Sequence, residues 1–272
     1  IRHRHRAHMP APFATLPPFA LKPKPPKSHM SAPASPTTLP HRTRIKVCGL
    51  TREDDVRDAV AAGADAIGFV MYAKSPRHVS PERAAQLARL LPPFVTPVLL
   101  FVNEKSSNIR AISDHISSGI VQFHGDELPE ECDAPDRTYL RAARVPMGPG
   151  APGFDLLEYA QRFPRASGIL LDAHVDGYGG GGLTFDWTAF NWSRLPPNVS
   201  SRLVLSGGLT PANVTDGVLQ VRPWAVDVSS GVEQDGPDGK PVKGIKCADK
   251  MRRFVAAVRE ADAALNTQAT QT

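Results

Sequence analysis

Eight short apolar runs, each followed by a helix or a helix-length connection, fill the roughly 228 residues from position 45 onward. They predict an α/β protein folded as a single-domain (β/α)8 TIM barrel, an architecture that typically needs about 250 residues. The first run ends in Cys48-Gly49-Leu50-Thr51, with no G-x-G-x-x-G after it, which disfavours an open doubly wound sheet. The runs are rich in Val, Ile, Leu and Ala and do not alternate with polar residues, as expected of strands covered on both faces.

The expected strands span 45–48, 66–71, 97–102, 120–124, 139–145, 169–172, 203–205 and 225–228. After the first, Thr51 precedes Arg52-Glu53-Asp54, a cap with acids in the first turn, and a helix is expected to run to Ala62 and stop at Gly63. Ser80-Pro81-Glu82 sets an N-cap serine before proline at the first helical position and opens a helix to about Leu91. Thr210-Pro211 repeats that signal ahead of a helix over 212–219. The last helix, 248–265, sets Met251, Phe254, Val255 and Val258 on one face.

Residues 1–44 carry eight Lys/Arg and no acid, which leaves 24 basic and 27 acidic groups in the rest of the chain. The formal charge of +5 therefore belongs to the tail, and the folded part lacks the basic surface of a nucleic-acid binder. With ten prolines and few clustered apolar residues, this segment cannot offset its ordering entropy, so residues 1–43 are expected to be a disordered, basic, Pro-rich tail and 44–272 the barrel. It reads either as a degenerate transit peptide or as residues upstream of a true start at Met30 or Met9. Cys48, Cys132 and Cys247 are scattered and form no C-x-x-C pair, so neither a disulfide framework nor zinc is expected. The longest apolar stretch, 87–102, is broken by Arg89 and three prolines, too short for a membrane span. A cytoplasmic protein without membrane or nucleic-acid partners is expected, as monomer or homodimer.

Chemistry in such barrels gathers at the carboxyl ends of the strands. Those positions hold Cys48, Arg77, His124 and Asp172, then Ser206-Gly207-Gly208 after the seventh strand and Ser229-Ser230-Gly231 after the eighth. The last two turns let backbone N–H groups approach a phosphate dianion, with the following helix start adding partial positive charge. A tight turn alone would also use glycine. Cys48 alone fits a small apolar filler as well as a reagent. Asp172 ends the apolar run Gly168-Ile169-Leu170-Leu171, where a carboxyl would be poorly solvated and its pKa raised, unless it simply braces the next loop. Arg77 fits a solvated loop cation and His124 a structural histidine. The loop Asp176-Gly177-Tyr178-Gly179-Gly180-Gly181-Gly182-Leu183 suggests a lid beside Asp172 or a plain insertion.

Together these segments resemble the phosphoribosylanthranilate isomerase family of tryptophan biosynthesis. The matches are Lys46-Val47-Cys48-Gly49-Leu50-Thr51, Ala66-Ile67-Gly68-Phe69, Ser75-Pro76-Arg77 and Val121-Gln122-Phe123-His124-Gly125-Asp126-Glu127. Leu170-Leu171-Asp172, Phe185-Asp186-Trp187, Leu205-Ser206-Gly207-Gly208-Leu209 and Val226-Asp227-Val228-Ser229-Ser230-Gly231-Val232-Glu233 follow in order. The resemblance covers about 44–260 and implies a cofactor-free Amadori rearrangement of N-(5'-phosphoribosyl)anthranilate. It implies Cys48 as general base, Asp172 as general acid, and Arg77 on the anthranilate carboxylate. His124, Gly207, Gly208, Asp227, Ser229 and Ser230 join the substrate site, the turns holding phosphate. Cys48 would need its pKa lowered from about 8.5 by dipoles or cations. Two departures stand out: Gly181 where the family lid carries threonine, and a longer insertion at 235–241, expected to alter access to the phosphate site. The analogous histidine-pathway isomerase would carry an acid in place of Cys48 and bind a second phosphate. Indole-glycerol-phosphate synthase would need a catalytic lysine–glutamate pair on early strands. A non-catalytic phosphate-binding barrel would not need both Cys48 and Asp172.

Overall fold

The computed structural model describes residues 40–116, 119–146, 153–173, 192, 195–200 and 202–271. Eight parallel strands close into a barrel: β1 (Arg44–Cys48), β2 (Ala66–Val70), β3 (Thr96–Phe101), β4 (Ile120–Phe123), β5 (Tyr139–Val145), β6 (Gly168–Ala173), β7 (Leu203–Leu205) and β8 (Ala225–Val228). Pairing of β8 with β1 shuts the ring, Lys46 standing opposite Asp227 and Val47 opposite Val228. All eight expected strands form within one residue of their expected ends. The helices are α1 (Glu53–Ala62), α2 (Pro81–Ala88), α3 (Ser106–His115), α4 (Pro129–Asp133), α5 (Leu156–Arg162), α6 (Pro197–Ser200), α7 (Val214–Val221) and α8 (Ala248–Thr270).

Successive side chains of a strand face opposite sides, and that alternation divides this barrel into two cores. Ile45, Val47, Ile67, Phe69, Leu99, Phe101, Val121, Phe123, Ile169 and Leu171 join the large cluster shared with the helices. The intervening residues fill the barrel. Ala142, Leu170, Val204 and Ala225 form one interior cluster, and Cys48, Val70, Leu100 and Val102 another toward the carboxyl ends. Lys46, Gln122, His124, Asp172 and Asp227 occupy interior positions by the same alternation and are all buried.

Helix starts depart from expectation where a tertiary partner competes. Thr51 does not cap α1: its hydroxyl donates to the Gly244 carbonyl at 2.8 Å, and Arg52 takes the N-cap position with no side-chain cap bond. Ser80 does cap α2, accepting from the Arg83 N–H at 3.2 Å, but that helix ends at Ala88 rather than Leu91. After β7 the Thr210 hydroxyl accepts from Ala212 N–H at 3.2 Å and Asn213 Oδ1 accepts from Thr210 N–H at 2.7 Å. These local bonds hold the chain in a turn, so α7 begins at Val214, not Ala212. α8 extends to Thr270 and buries Met251, Phe254, Val255 and Val258 as expected. Each such side chain, fully buried, contributes about 1.5–3 kcal/mol.

α8 also anchors the start of the chain. Thr43 N–H and hydroxyl donate to the Asp262 carboxylate (3.0 and 2.7 Å), and His41 N–H donates to Asn266 Oδ1 at 2.6 Å. Among the described residues, bonds to α8 are made from His41 onward, ahead of the tail boundary expected at 43, because Asp262 and Asn266 on α8 supply acceptors that local sequence does not reveal. The rest of the expected tail, 1–39, and the expected glycine lid, 176–183, lie outside the described residues. The insertion after β8 is a β-hairpin separate from the barrel, β9 (Glu233–Asp235) antiparallel to β10 (Pro241–Lys246), closed by a turn in which Gly236 N–H donates to the Lys240 carbonyl at 2.7 Å. Among the described residues no helix is long and apolar enough to cross a membrane.

Candidate active site

Cys48 is the last residue of β1 and lies 5% exposed among Val70, Leu100 and Val102. Its Cα partner on β2 is Gly68, and a Cβ there would come within 2.6 Å of Sγ, so a side chain at position 68 would displace the thiol. Two residues earlier on the same face, Lys46 donates from Nζ to Asp227 Oδ1 at 2.8 Å, both side chains inside the barrel. Burial alone would lower the Lys46 ammonium, but the Asp227 and Cys48 charges outweigh it and leave the group above its ordinary value. The thiol goes the other way from expectation. Burial raises the Cys48 pKa, and the nearby Lys46 and Lys246 ammoniums offset only part of the rise.

Asp172 lies at the carboxyl end of β6 and His124 directly follows β4. The His124 ring joins them, Nε2 standing 3.0 Å from Asp172 Oδ2, while Gln122 Nε2 stands 3.1 Å from His124 Nδ1. The carboxyl is thus bonded into a buried chain of side chains. His124 is buried, at 6% exposure.

Arg77 is not a solvated loop residue. It is buried and donates from Nε and Nη2 to the two oxygens of Glu233 at 2.6 and 2.8 Å. Its stem passes so near Gly49 that a Cβ there would lie 2.5 Å from Arg77 Cδ. Lys246 Nζ, at the far end of the hairpin, donates to Glu233 Oε1 at 3.2 Å, and Gly244 N–H adds a bond at 2.9 Å. Burial would raise the Glu233 carboxyl, yet the Arg77 hydrogen bonds with the Lys246 and Arg77 charges hold it below the usual range. Burial is also what pulls the Lys246 ammonium below its ordinary value. Two cations around one carboxylate leave this buried cluster an excess of positive charge beside β1 and β8.

The two turns proposed for phosphate lie against each other. Gly207 and Gly208 both adopt left-handed backbone (φ 81° and 68°), which residues with a Cβ rarely tolerate. A Cβ on Gly231 would lie 1.9 Å from the Leu209 carbonyl oxygen, so the turn after β8 packs directly on the one after β7. Ser229 hydroxyl donates to the Cys48 carbonyl at 3.0 Å and accepts from Lys246 Nζ at 3.3 Å, tying the β8 turn to the thiol's strand. The expected helix starts do not follow these turns directly. α7 begins six residues after Gly208, because the Thr210–Asn213 turn intervenes, and Ser230 opens only a single 3₁₀ turn, Ser230–Val232, before the hairpin.

Lys46, Gln122, Glu233 and Lys246 were not singled out in the sequence. Lys46 and Gln122 carried a signal, a polar residue inside an otherwise apolar strand with the same facing as a candidate site residue two positions on. The pairing of Arg77 with Glu233 spans 156 residues and left none.

A closed barrel that brings a thiol, a carboxyl and a buried cationic cluster to the carboxyl ends of its strands has the build of a (β/α)8 barrel enzyme of acid–base type. The family model of N-(5'phosphoribosyl)anthranilate (PRA) isomerase matches residues 45–257. The N-(5'-phosphoribosyl)anthranilate isomerase of Methylibium petroleiphilum is 62% identical over 222 residues, 82% of this chain and 96% of the relative. That of Leptothrix cholodnii is 59% identical over 224 residues, 82% and 94% of the two chains. The crystal structure of phosphoribosyl anthranilate isomerase from Thermotoga maritima superposes with a TM-score of 0.67 at 38% identity, covering 80% of this chain and all of that one. Another crystal structure, of the isomerase in complex with reduced 1-(o-carboxyphenylamino)-1-deoxyribulose 5-phosphate, gives 0.66 at 35% identity with the same coverage. This chain belongs to the phosphoribosylanthranilate isomerase family.

Proposed function

We propose that this barrel converts N-(5'-phosphoribosyl)anthranilate to 1-(2-carboxyphenylamino)-1-deoxyribulose 5-phosphate, the Amadori step of tryptophan biosynthesis, with Asp172 as acid and Cys48 as base. The observation that carries the reading is the placement of Asp172 on β6 and Cys48 on β1, both at the carboxyl ends of inward-facing positions. Asp172 gives a proton to the furanose ring oxygen as the C1–O bond breaks, and the anilino nitrogen lone pair forms the C1 iminium. The iminium acidifies the C2 hydrogen, and the Cys48 thiolate removes it; the C2–H electron pair becomes the enolamine double bond. Ketonisation then gives the aminoketose. The turn pair at Gly207, Gly208, Ser229 and Ser230 holds the phosphate through backbone N–H groups. The Arg77 guanidinium, already fixed by Glu233, meets the anthranilate carboxylate with its remaining donors. His124 braces the acid, and Asp227 holds the Lys46 ammonium beside the thiol. The small phosphorylated substrate is the partner, and the enzyme works in the cytoplasm as monomer or homodimer.

The test is loss of fluorescence when freshly made phosphoribosylanthranilate meets the purified protein. Turnover supports the reading, and no loss at any protein concentration overturns it. Arg77→Ala raises KM by about 10-fold or more, as loss of a charge-assisted pair implies; an unchanged KM removes Arg77 from the carboxylate site.

A further inference from the structure

Gln122 is fully buried on β4, flanked in register by Leu100 and Leu140, and its buried amide oxygen has no hydrogen-bond partner among the described residues. A buried polar side chain with one orphaned end is costly, about 1–3 kcal/mol, so its other end must matter to the site it faces. That end, Nε2, is 3.1 Å from His124 Nδ1, and His124 Nε2 is 3.0 Å from Asp172 Oδ2.

Donor chemistry orders this chain. An amide NH2 only donates, so His124 Nδ1 accepts and carries no proton. The ring proton therefore sits on Nε2 and is donated to Asp172 Oδ2. Turning the amide over would leave its NH2, with two donors, unpaired between leucines. It would also put a protonated Nδ1 against the amide oxygen and a bare Nε2 against Asp172 Oδ2, two acceptors face to face when the carboxyl is ionised and, when it is protonated, a ring nitrogen that draws the acid proton onto Oδ2 and away from substrate. The arrangement present avoids both.

We propose that Gln122 is a positioning residue that fixes the His124 tautomer and so reserves Asp172 Oδ1 as the oxygen that carries the proton to substrate. With Oδ2 held as an acceptor by Nε2–H, the acid proton has one position, Oδ1. It passes from there to the ring oxygen, leaving a carboxylate that the same Nε2–H still supports. The imidazole neither gains nor loses a proton in the cycle. This follows the logic by which a carboxylate sets the tautomer of a catalytic histidine, with an amide donor in its place.

The inference rests on the reading of Asp172 as the acid, and its test is separable from that reading. Nitrogen-15 shifts of the His124 ring in the wild-type protein are measured first, without substrate. One fixed tautomer, protonated at Nε2 and bare at Nδ1, is expected; a protonated Nδ1 or averaged shifts from two exchanging tautomers overturns the proposal. Gln122→Glu, near-identical in shape, replaces the donor by an acceptor and is expected to protonate Nδ1. Gln122→Met removes the donor and lowers kcat by about 10- to 100-fold, as loss of an outer orienting partner does, with KM within about twofold. A folded Gln122→Met protein with wild-type kcat overturns the proposal. If Gln122→Met does not fold, the wild-type ring shifts decide alone. Should Asp172→Asn keep full turnover while His124 shows the fixed Nε2–H form, the functional reading fails and the tautomer assignment stands.

Discussion

Replacing Glu233 by Gln isolates the energetics of the buried cationic cluster. The carboxylate accepts from Arg77 Nε (2.6 Å), Arg77 Nη2 (2.8 Å), Gly244 N–H (2.9 Å) and Lys246 Nζ (3.2 Å) with no exposure to solvent. The amide keeps the shape and one acceptor but removes the charge that compensates two buried cations. Breaking a buried pair by removing one partner costs about 3–5 kcal/mol, and the bond retained by the amide oxygen returns about 1 kcal/mol. The net is a loss of about 2–4 kcal/mol. At about 2–4 °C per kcal/mol for a domain of this size, the melting temperature falls by about 4–16 °C. Thermal unfolding followed by circular dichroism at several pH values measures it. Because the folded Glu233 carboxyl lies below its usual range, the stabilisation is fully present above the unfolded value of about 4.3 and is lost as pH falls through the lower folded value. Wild type therefore loses stability below about pH 4 through this group, and Glu233→Gln lacks that component. Adding Lys246→Met to Glu233→Gln recovers part of the loss, since an uncompensated ammonium is removed. A loss under about 1 kcal/mol at pH 7, or an acid dependence identical to wild type, refutes the cluster argument.

Three further outcomes follow from the same geometry. Because burial lifts the Cys48 thiol, kcat/KM rises with pH through a limb above the ordinary thiol value of about 8.5, and Lys46→Met, by removing a charge that lowers it, moves that limb further up; a pH–rate profile with a limb below 8 contradicts this. Gly68→Ala, whose Cβ would lie 2.6 Å from Sγ, lowers kcat by about 10-fold or more by displacing the base, and a wild-type kcat would show that the thiol's position is not critical. Truncation before Met30 leaves the melting temperature within about 1 °C, since a Pro-rich, acid-free segment with few apolar residues adds little buried surface; a large drop would give the tail a structural role.

The strands were legible because a parallel strand covered on both faces is mostly apolar, as the runs at 66–71, 97–102 and 203–205 are. The polar interior was less so. Lys46 and Asp227 meet across 181 residues, and each reads locally as a charge inside a hydrophobic segment. Thr51 shows how tertiary structure overrules local propensity: its hydroxyl serves Gly244 on β10, and the cap goes unfilled. The hairpin lay hidden because Asp235-Gly236-Pro237-Asp238-Gly239 reads as irregular insertion, while its purpose is carried by Glu233 and Lys246 at either end. Cys48 was identified by position, but the direction of its pKa was not, since burial depends on Val70, Leu100 and Val102 from other strands.

The claim on which the account stands is that Cys48 and Asp172 act on one substrate as a base–acid unit. The direct measurement is kcat/KM for Cys48→Ala, Asp172→Asn and the double variant, by fluorescence loss of phosphoribosylanthranilate, with binding of the reduced product followed in parallel. Each single variant is expected to lose about 10²- to 10⁴-fold while still binding the reduced product, and the double variant to lose little more than the worse single. Near-wild-type turnover in either single variant, or losses that simply multiply in the double, would contradict it.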